Sequence, residues 1–567
     1  MSEDLSVYDL DLSPPVGKQY FNCSRELREE FIYFLLVDRF SDGKARAPIA
    51  TSERSQGSGT EQQLGRFCGG KLKGITQNLG YIRDLGCSAL WLSPIFENNG
   101  APDPDSDKYH GYSIQNYLAI DPRFGTEQDL VDLVAEAHKK DMRVFLDVVL
   151  NHSGDNWQYP NDDAYYYWQD WQYPLGKFRL DNRPQPVELR NESFYHRRGQ
   201  IRNWDADPEF QHGDFFSLKD YNNDETADGV ALIDVLIRCH CYWIKKTDVD
   251  GFRLDAVKHM GASCVGRFCS AVYEYARLLG KRNFVIFGEL IATDDAINRY
   301  VGPNTAFGDK DNLYTGMTSV LDFPLSFVLP NVIKGLAPPS QLVARYDALR
   351  DHALSRGELG RYLVTFLDNH DDVGQDPKRR FGADAPDDQI IAGVGTLMCL
   401  LGASCIYYGT EQGFSGKGSS DANIREAMFD LNVPTRSLLN QSCRIYKQIA
   451  EIAQQFAALR ELKYGRIYFR EISGNGSDFG LPQGQPCTLA FSRLLADSEV
   501  LVAYNTSVTD ARNDYVIVDN LIQGKRSSMR VLYSNRRAAG GDIPVRKDAN
   551  ACSVQLSLQP MEFVILR

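Results

Sequence analysis

Charged side chains recur inside and at the ends of apolar runs in this chain, where burial makes a charge costly unless it is paired or used. RVFLDVVLNH (143–152) holds Asp147 and closes on Asn151 and His152, while GFRLDAVKH (251–259) holds Arg253 and Asp255 and closes on Lys258 and His259. FVIFGEL (284–290) carries Glu289, and YLVTFLDNHD (362–371) ends in Asp368, Asn369, His370 and Asp371, with Asp372 next. Any one of these residues fits a structural ion pair as well as catalysis; all of them on one rim favour catalysis. Two carboxyl groups in unlike surroundings can divide into a nucleophile and a proton donor. Such a pair, ~5–5.5 Å apart, is the machinery of glycoside cleavage with retention of configuration. Asp255 and Glu289 stand at corresponding points of successive runs. Neighbouring strands are ~4.8 Å apart, so the two side chains can flank one bond. The rival reading is a metal-dependent hydrolase, which calls for several His and Asp ligands on one ion; this set is richer in carboxylates than in imidazoles.

The elements that must position these residues are eight apolar runs: 31–40, 88–96, 143–152, 251–259, 284–290, 317–325, 362–371 and 404–412. They are near-continuously hydrophobic, as parallel strands covered on both faces should be. Amphipathic stretches such as TEQDLVDLVAEAHKKD (126–141) and ALIDVLIRCHCYWIKKT (231–247) lie between them. The expected fold is therefore an α/β chain built as a (β/α)₈ TIM barrel, whose active site lies at the carboxyl ends of its strands. An open doubly wound sheet fits less well, since no G-x-G-x-x-G follows an early strand. Residues 153–227, rich in Tyr, Trp, Asp, Asn and Pro, read as a subdomain inserted after strand three. After Leu462 the pattern turns to short alternating strands, expected to form a C-terminal antiparallel β-domain. The expected division is an N-terminal extension (1–29), the barrel (30–152 and 228–463), the insertion (153–227) and a C-terminal β-sandwich (464–567). The polar Gly/Ser-rich segment 51–63 is expected to be a mobile loop.

With 567 residues, 43% hydrophobic and 24% charged, the composition is ordinary and excludes wholesale disorder, a collagen and a coiled coil. The net charge of −13 repels phosphate backbones, so nucleic acid is not an expected partner. The 29 Tyr, 29 Phe and 6 Trp suit sugar faces but suit core packing equally. MSEDLSVYDLDLSPP has neither a basic nor an apolar leader region, so no signal peptide is expected. The 12 cysteines lie in settings typical of buried thiols and imply a reducing cytoplasm. The uncharged stretch 390–409 is long enough to span a bilayer, but Gly393, Gly395 and Gly402 break it into an expected buried helix, turn and strand, with no membrane partner.

DVVLNH, GFRLDAVKH, FGEL and FLDNHD, in this order, resemble the four signature regions of the α-amylase family of glycoside hydrolases. GGKLKGI (69–75), YHGY (109–112), DPRFGT (121–126), SLKDYN (217–222) and YYGTEQ (407–412) resemble further family segments, and the likeness covers roughly residues 30–565. The resemblance implies Asp255 as nucleophile, Glu289 as general acid/base and Asp371 as the third carboxylate, which binds ring hydroxyls. Arg253 would hold Asp255 ionised, since a nearby opposite charge lowers a carboxyl pKa. His152 and His370 resemble the two histidines that bind the transition state, Tyr112 the ring that stacks on the sugar, and His110 a donor to its hydroxymethyl group.

The resemblance also implies a calcium ion between barrel and insertion, held by Asn151, Asp220 and the main-chain oxygen of His259; hard oxygen ligands suit Ca²⁺. Lys258 and His259 resemble the leaving-group side of α-amylases and cyclodextrin-forming transferases, where further glucose units are held. The implied activity is retaining hydrolysis of α-1,4-glucosidic bonds in starch-, glycogen- or maltooligosaccharide-type glucans. The alternatives are an α-glucan transglycosylase, an α-glucosidase or sucrose-acting relative, and, in a different class, a catalytically silent sugar-binding barrel. Two departures stand out: Ser113 follows YHGY, where many secreted amylases have Trp, and FYHRRGQIRNWDADPE (194–209) differs from theirs.

Overall fold

Eight of the apolar runs pair side by side, all parallel, and close on themselves. The computed structural model describes residues 4–100, 107–161, 165–302, 315–353, 359–373, 377–548 and 551–567. The barrel strands are β1 (Phe31–Leu35), β2 (Ala89–Leu92), β3 (Arg143–Val148), β4 (Gly251–Leu254), β5 (Val285–Gly288), β6 (Ser319–Leu321), β7 (Leu363–Thr365) and β8 (Ala403–Tyr407). Each pairs with its neighbour in sequence, and β8 pairs with β1, so the barrel has no open edge. Every residue of these strands is buried, which is why they are mostly apolar and why the three charged residues inside them, Arg143, Asp147 and Arg253, are buried too.

The outer helices form for local reasons as well. Helix α1 (Glu127–Lys139) starts in a capping box between Thr126 and Asp129 and buries Leu130, Leu133, Val134 and Ala137, spaced three and four apart. Helix α2 (Ala227–Thr247) is capped by the Thr226 side chain and stops at Asp248, which is left-handed at φ 65°. Helix α3 is Ala262–Leu278. The run 317–325 is only partly strand: Asp322 caps helix α4 (Phe323–Ile333) by accepting from the Leu325 amide, so FPL begins a helix. The uncharged stretch 390–409 resolves into helix α5 (Asp387–Cys399), a turn at Gly402 with φ +116°, and β8. No described helix is long and apolar enough to cross a membrane.

The insertion is mostly irregular and is knitted to the barrel by a short antiparallel pair, Lys219–Asp220 against His152–Ser153, with Asp220 opposite His152. The N-terminal extension packs across α2 and α3: Arg238 Nε donates to the Val7 carbonyl at 3.0 Å and the Tyr275 hydroxyl to that of Leu12 at 2.8 Å. The segment 51–63, expected to be mobile, is tied down instead. Ser58 and Ala427 exchange amide-to-carbonyl bonds of 3.1 and 3.0 Å, and Gly57 lies so close to Glu426 that a side chain there would collide with it.

Beyond helix α6 (Arg444–Ala458) the chain forms one nine-stranded antiparallel sheet. Its strands are β9 (Arg466–Phe469), β10 (Ile472–Ser473), β11 (Thr488–Leu495), β12 (Ser498–Asn505), β13 (Arg512–Val518), β14 (Ser528–Ser534), β15 (Asp542–Lys547), β16 (Cys552–Leu558) and β17 (Phe563–Leu566), in the order β9-β11-β12-β17-β14-β15-β16-β13-β10. Alternate residues serve two cores. Leu489, Phe491, Val500 and Val502 join the barrel's core, whereas Ala490, Leu501 and Ala503 pack with Val516, Val518 and Val554 from the other half of the same sheet. A single curled sheet therefore supplies both layers of the expected sandwich.

Candidate active site

Parallel register places the charged residues at one level. Arg253 pairs with Asp147 on β3 and Phe287 on β5, and Leu254 pairs with Gly288, so Asp255 and Glu289 each follow the last paired residue of their strands. The Arg253 side chain is buried and donates to three carboxylates: from Nη1 to Asp147 Oδ1 (2.8 Å) and Asp255 Oδ1 (2.7 Å), and from Nη2 to Glu289 Oε2 (2.8 Å). One guanidinium thus spans the two residues expected to flank a bond. Glu289 Oε2 also accepts the Ala256 amide at 3.1 Å. Ala256 is left-handed at φ 51°, the backbone bend that turns this amide toward Glu289.

Burial, the Asp147 charge and the Arg253 guanidinium act together on Asp255. Burial and the neighbouring acid outweigh the arginine and raise its carboxyl to about 6. This differs from the expectation that Arg253 would dominate; in a dry site one cation is shared among three acids. Burial, together with the Asp255 and Asp371 charges, pushes Glu289 up to about 8 against the pull of Arg253. At neutral pH the first group is ionised and the second protonated, the division that a nucleophile and a proton donor need.

Asp371 behaves in the opposite way. Burial acts to raise it, but His370, Arg425 and Arg253 together bring it down to about 2. His370 Nε2 lies 3.3 Å and Arg425 Nη2 2.8 Å from its carboxylate. Of the other polar residues closing β7, Asn369 accepts the amides of Asp371 and Asp372, Asp368 accepts the Phe381 amide and Asp372 the Arg379 amide, so they shape the loop.

Three histidines line the site uncharged. Burial drops His152 and His370 to about 3, and burial with Arg425 and Lys108 drives His110 well below its ordinary value. His110 Nδ1 accepts the Tyr112 amide at 3.1 Å, which leaves the proton on Nε2, able to donate outward. His152 Nε2 is buried with no protein partner. The Tyr112 ring stands between His110 (5.6 Å, 23°) and His370 (5.4 Å, 14°), and its hydroxyl donates to Asp147 at 2.9 Å.

Lys258 and His259 turn toward the insertion. Lys258 Nζ pairs with Asp205 at 2.7 Å, and His259 Nδ1 bonds the Phe210 carbonyl at 2.5 Å with its ring edge-on to Phe215. Of the expected calcium residues, Asn151 and Asp220 lie on adjoining segments, since the Tyr221 amide donates to the Asn151 carbonyl at 2.9 Å. Asn223 Nδ2 donates to Asn151 Oδ1 at a long 3.4 Å, and Asn223 Oδ1 accepts the Gly261 amide at 3.1 Å, joining the loops after β3 and β4. Asp220 Oδ1 is buried with no partner, while Oδ2 lies 2.5 Å from His196 Nδ1. A buried carboxylate oxygen with no hydrogen-bond partner is a donor that suits a hard cation.

The sequence reading missed Arg425, Tyr109 and Trp91 as site residues. Arg425 carries Asp371 and His370, Tyr109 accepts no signal beyond its place in YHGY, and Trp91 Nε1 donates to Asp147 at 3.1 Å. The apolar run holding Trp91 points only to a strand, and nothing near Arg425 in DANIREAMF marks it.

A closed eight-stranded parallel barrel with its charged residues gathered at the carboxyl ends of the strands defines the chain as a (β/α)₈-barrel protein. The chain belongs to the α-amylase family: the family pattern described as "Alpha amylase, catalytic domain" matches residues 34–435. It is similar to an α-amylase of Streptomyces lividans, 29% identical over 543 residues, covering 85% of this chain and 56% of that protein. The chain thus spans about half the length of that relative. A cyclomaltodextrin glucanotransferase of Klebsiella oxytoca is 26% identical over 542 residues, covering 87% of this chain and 78% of that one. The crystal structure of a Geobacillus thermoleovorans α-amylase complexed with acarbose has a similar fold, with a TM-score of 0.64 at 24% identity over 96% of this chain and 99% of that one.

Proposed function

We propose that this chain hydrolyses α-1,4-glucosidic bonds of starch-, glycogen- or maltooligosaccharide-type glucans by double displacement. The observation that carries the reading is the Arg253 guanidinium bonded to both Asp255 and Glu289, with Asp255 raised to about 6 and Glu289 to about 8. Glu289 gives its proton to the glycosidic oxygen as an Asp255 oxygen attacks the anomeric carbon. The C–O bond to the leaving sugar breaks and a glycosyl ester forms on Asp255. Glu289, now ionised, takes a proton from water; the hydroxide attacks the same carbon and the ester bond breaks, freeing Asp255. Asp371 accepts from ring hydroxyls, His110 Nε2 donates to the sugar, and the Tyr112 ring packs on its face. The acarbose complex of the Geobacillus protein supports a glucan-like ligand.

A second reading, transfer to another sugar, is favoured by the aromatic wall beside Lys258 and His259. Trp204 lies 4.9 Å from Phe215 and 5.7 Å from the His259 ring and is 36% exposed, a face on which an acceptor sugar can stack. Product analysis on maltooligosaccharides of defined length, with sucrose, trehalose and pullulan alongside, tests both. Shorter products alone support hydrolysis, products longer than the substrate support transfer, and no cleavage of any of them overturns both.

Calcium is proposed at Asn151, Asp220 and the His259 carbonyl, on the strength of the orphaned Asp220 oxygen; it would tie the insertion to the barrel rim. A cytoplasmic location is proposed from the twelve cysteines, all free and eleven of them buried.

A further inference from the structure

His196, His212 and Asp224, all from the insertion and the segment leading into α2, bring one ligand atom each to within 4.8 Å of one another. We propose that they form a site for a divalent transition metal, best suited to Zn²⁺, separate from the catalytic rim and from the oxygen site at Asn151. His196 Nε2 lies 3.3 Å from Asp224 Oδ2, and His212 Nε2 3.1 Å from Asp224 Oδ1; the two rings lie 4.2 Å apart. Ligands ~2.0–2.1 Å from a tetrahedral zinc stand ~3.3 Å from each other, so each histidine nitrogen already lies at ligand spacing from one Asp224 oxygen, and a small rotation of that carboxylate would present a single oxygen to both.

A further contact points to a ligand. His196 is 3% exposed, and its Nδ1 lies 2.5 Å from Asp220 Oδ2. With one proton held on Nδ1 by that carboxylate, the buried Nε2, 3.3 Å from Asp224 Oδ2 and outside good hydrogen-bond geometry, is the ring atom left to bind a metal, which would displace the proton it shares with Asp224. A carboxylate behind a histidine in this way fixes the ring and raises its basicity as a metal ligand. Two imidazoles and one carboxylate suit zinc, with water in the fourth position; calcium prefers six to eight oxygens. Asp220 thereby gives Oδ2 to the histidine site and keeps a buried, unpartnered Oδ1 for the proposed oxygen site. The metal would clasp the middle of the insertion to the start of α2. The competing state is a network of ion pairs among the same four side chains.

The test uses the full chain, stripped of metal by chelation and titrated with Co²⁺ and then Zn²⁺, in excess Ca²⁺ to saturate the oxygen site. One equivalent of Co²⁺ is expected, with the visible absorption of a four-coordinate nitrogen and oxygen site and no thiolate charge-transfer band, and Zn²⁺ should displace it. His212→Ala should abolish the spectrum with its far-ultraviolet circular dichroism unchanged, and Asp220→Asn should weaken binding about 10–100-fold. Failure to bind either metal stoichiometrically, a thiolate band, or unaltered Co²⁺ binding in a folded His212→Ala variant would overturn the site and leave only the ion-pair network.

Discussion

Arg425 Nη2 donates to Asp371 Oδ1 at 2.8 Å, while Nε of the same guanidinium donates to the His370 carbonyl at 2.8 Å and Nη1 to the Tyr109 hydroxyl at 3.2 Å. One planar group therefore joins the loop after β7 to the loop after β2 and keeps the third carboxylate ionised. A lysine ammonium, a point donor, cannot reproduce this fork. Arg425→Lys is expected to lower kcat/KM on a maltooligosaccharide at least tenfold, about 1.4 kcal/mol of transition-state stabilisation. Steady-state kinetics check it, and near-normal kcat/KM would remove Arg425 from the site.

Asp255→Asn removes the proposed nucleophile, and Glu289→Gln the proposed proton donor. Loss of a positioned acid/base typically costs ~10²–10⁴-fold in rate, and loss of the covalent route should leave Asp255→Asn without measurable turnover. Proton NMR of the earliest products of the unaltered protein should show the α-anomer, because two inversions restore the configuration. An initial β-anomer would exclude the ester on Asp255.

The pH profile of kcat/KM should be bell-shaped. In the proposed mechanism Asp255 acts ionised, and with its carboxyl raised to about 6 activity should be lost as pH falls through about 6. In the same mechanism Glu289 acts protonated, and with its carboxyl raised to about 8 activity should be lost as pH rises through about 8. Both limbs belong to the coupled pair. The optimum is expected near neutral pH, and an acid limb lying below pH 4 would contradict the burial argument for Asp255.

Calcium returned to metal-free protein should raise the melting temperature. A ligand of the folded state alone stabilises it by about 2.7 kcal/mol at a hundredfold excess over Kd. Asn151→Ala should lose that gain yet keep Co²⁺ binding at His196 and His212, because Asn151 belongs to the proposed oxygen site alone. Equal melting curves with and without calcium would leave SLKDYN as a structural loop.

The barrel and its catalytic rim were legible in the sequence because a parallel strand covered on both faces must be apolar throughout. Against that background Asp255, Glu289 and Asp371 stand out, and strands that follow one another in the chain lie side by side, so position along the chain translates into position round the rim. The curled C-terminal sheet was visible for a similar reason, in the two-residue alternation of Leu489, Ala490 and Phe491. Tertiary structure alone decided the rest. Arg425 meets Asp371, Tyr109 meets Arg425, and His196 meets Asp220 across loops whose paths obey no period. Lys258 and His259 turned toward Asp205 and Phe210 because the insertion packs there. The sharing of Arg253 among Asp147, Asp255 and Glu289 likewise depends on depth of burial, which sets how strongly each charge is felt and which no single residue type reveals.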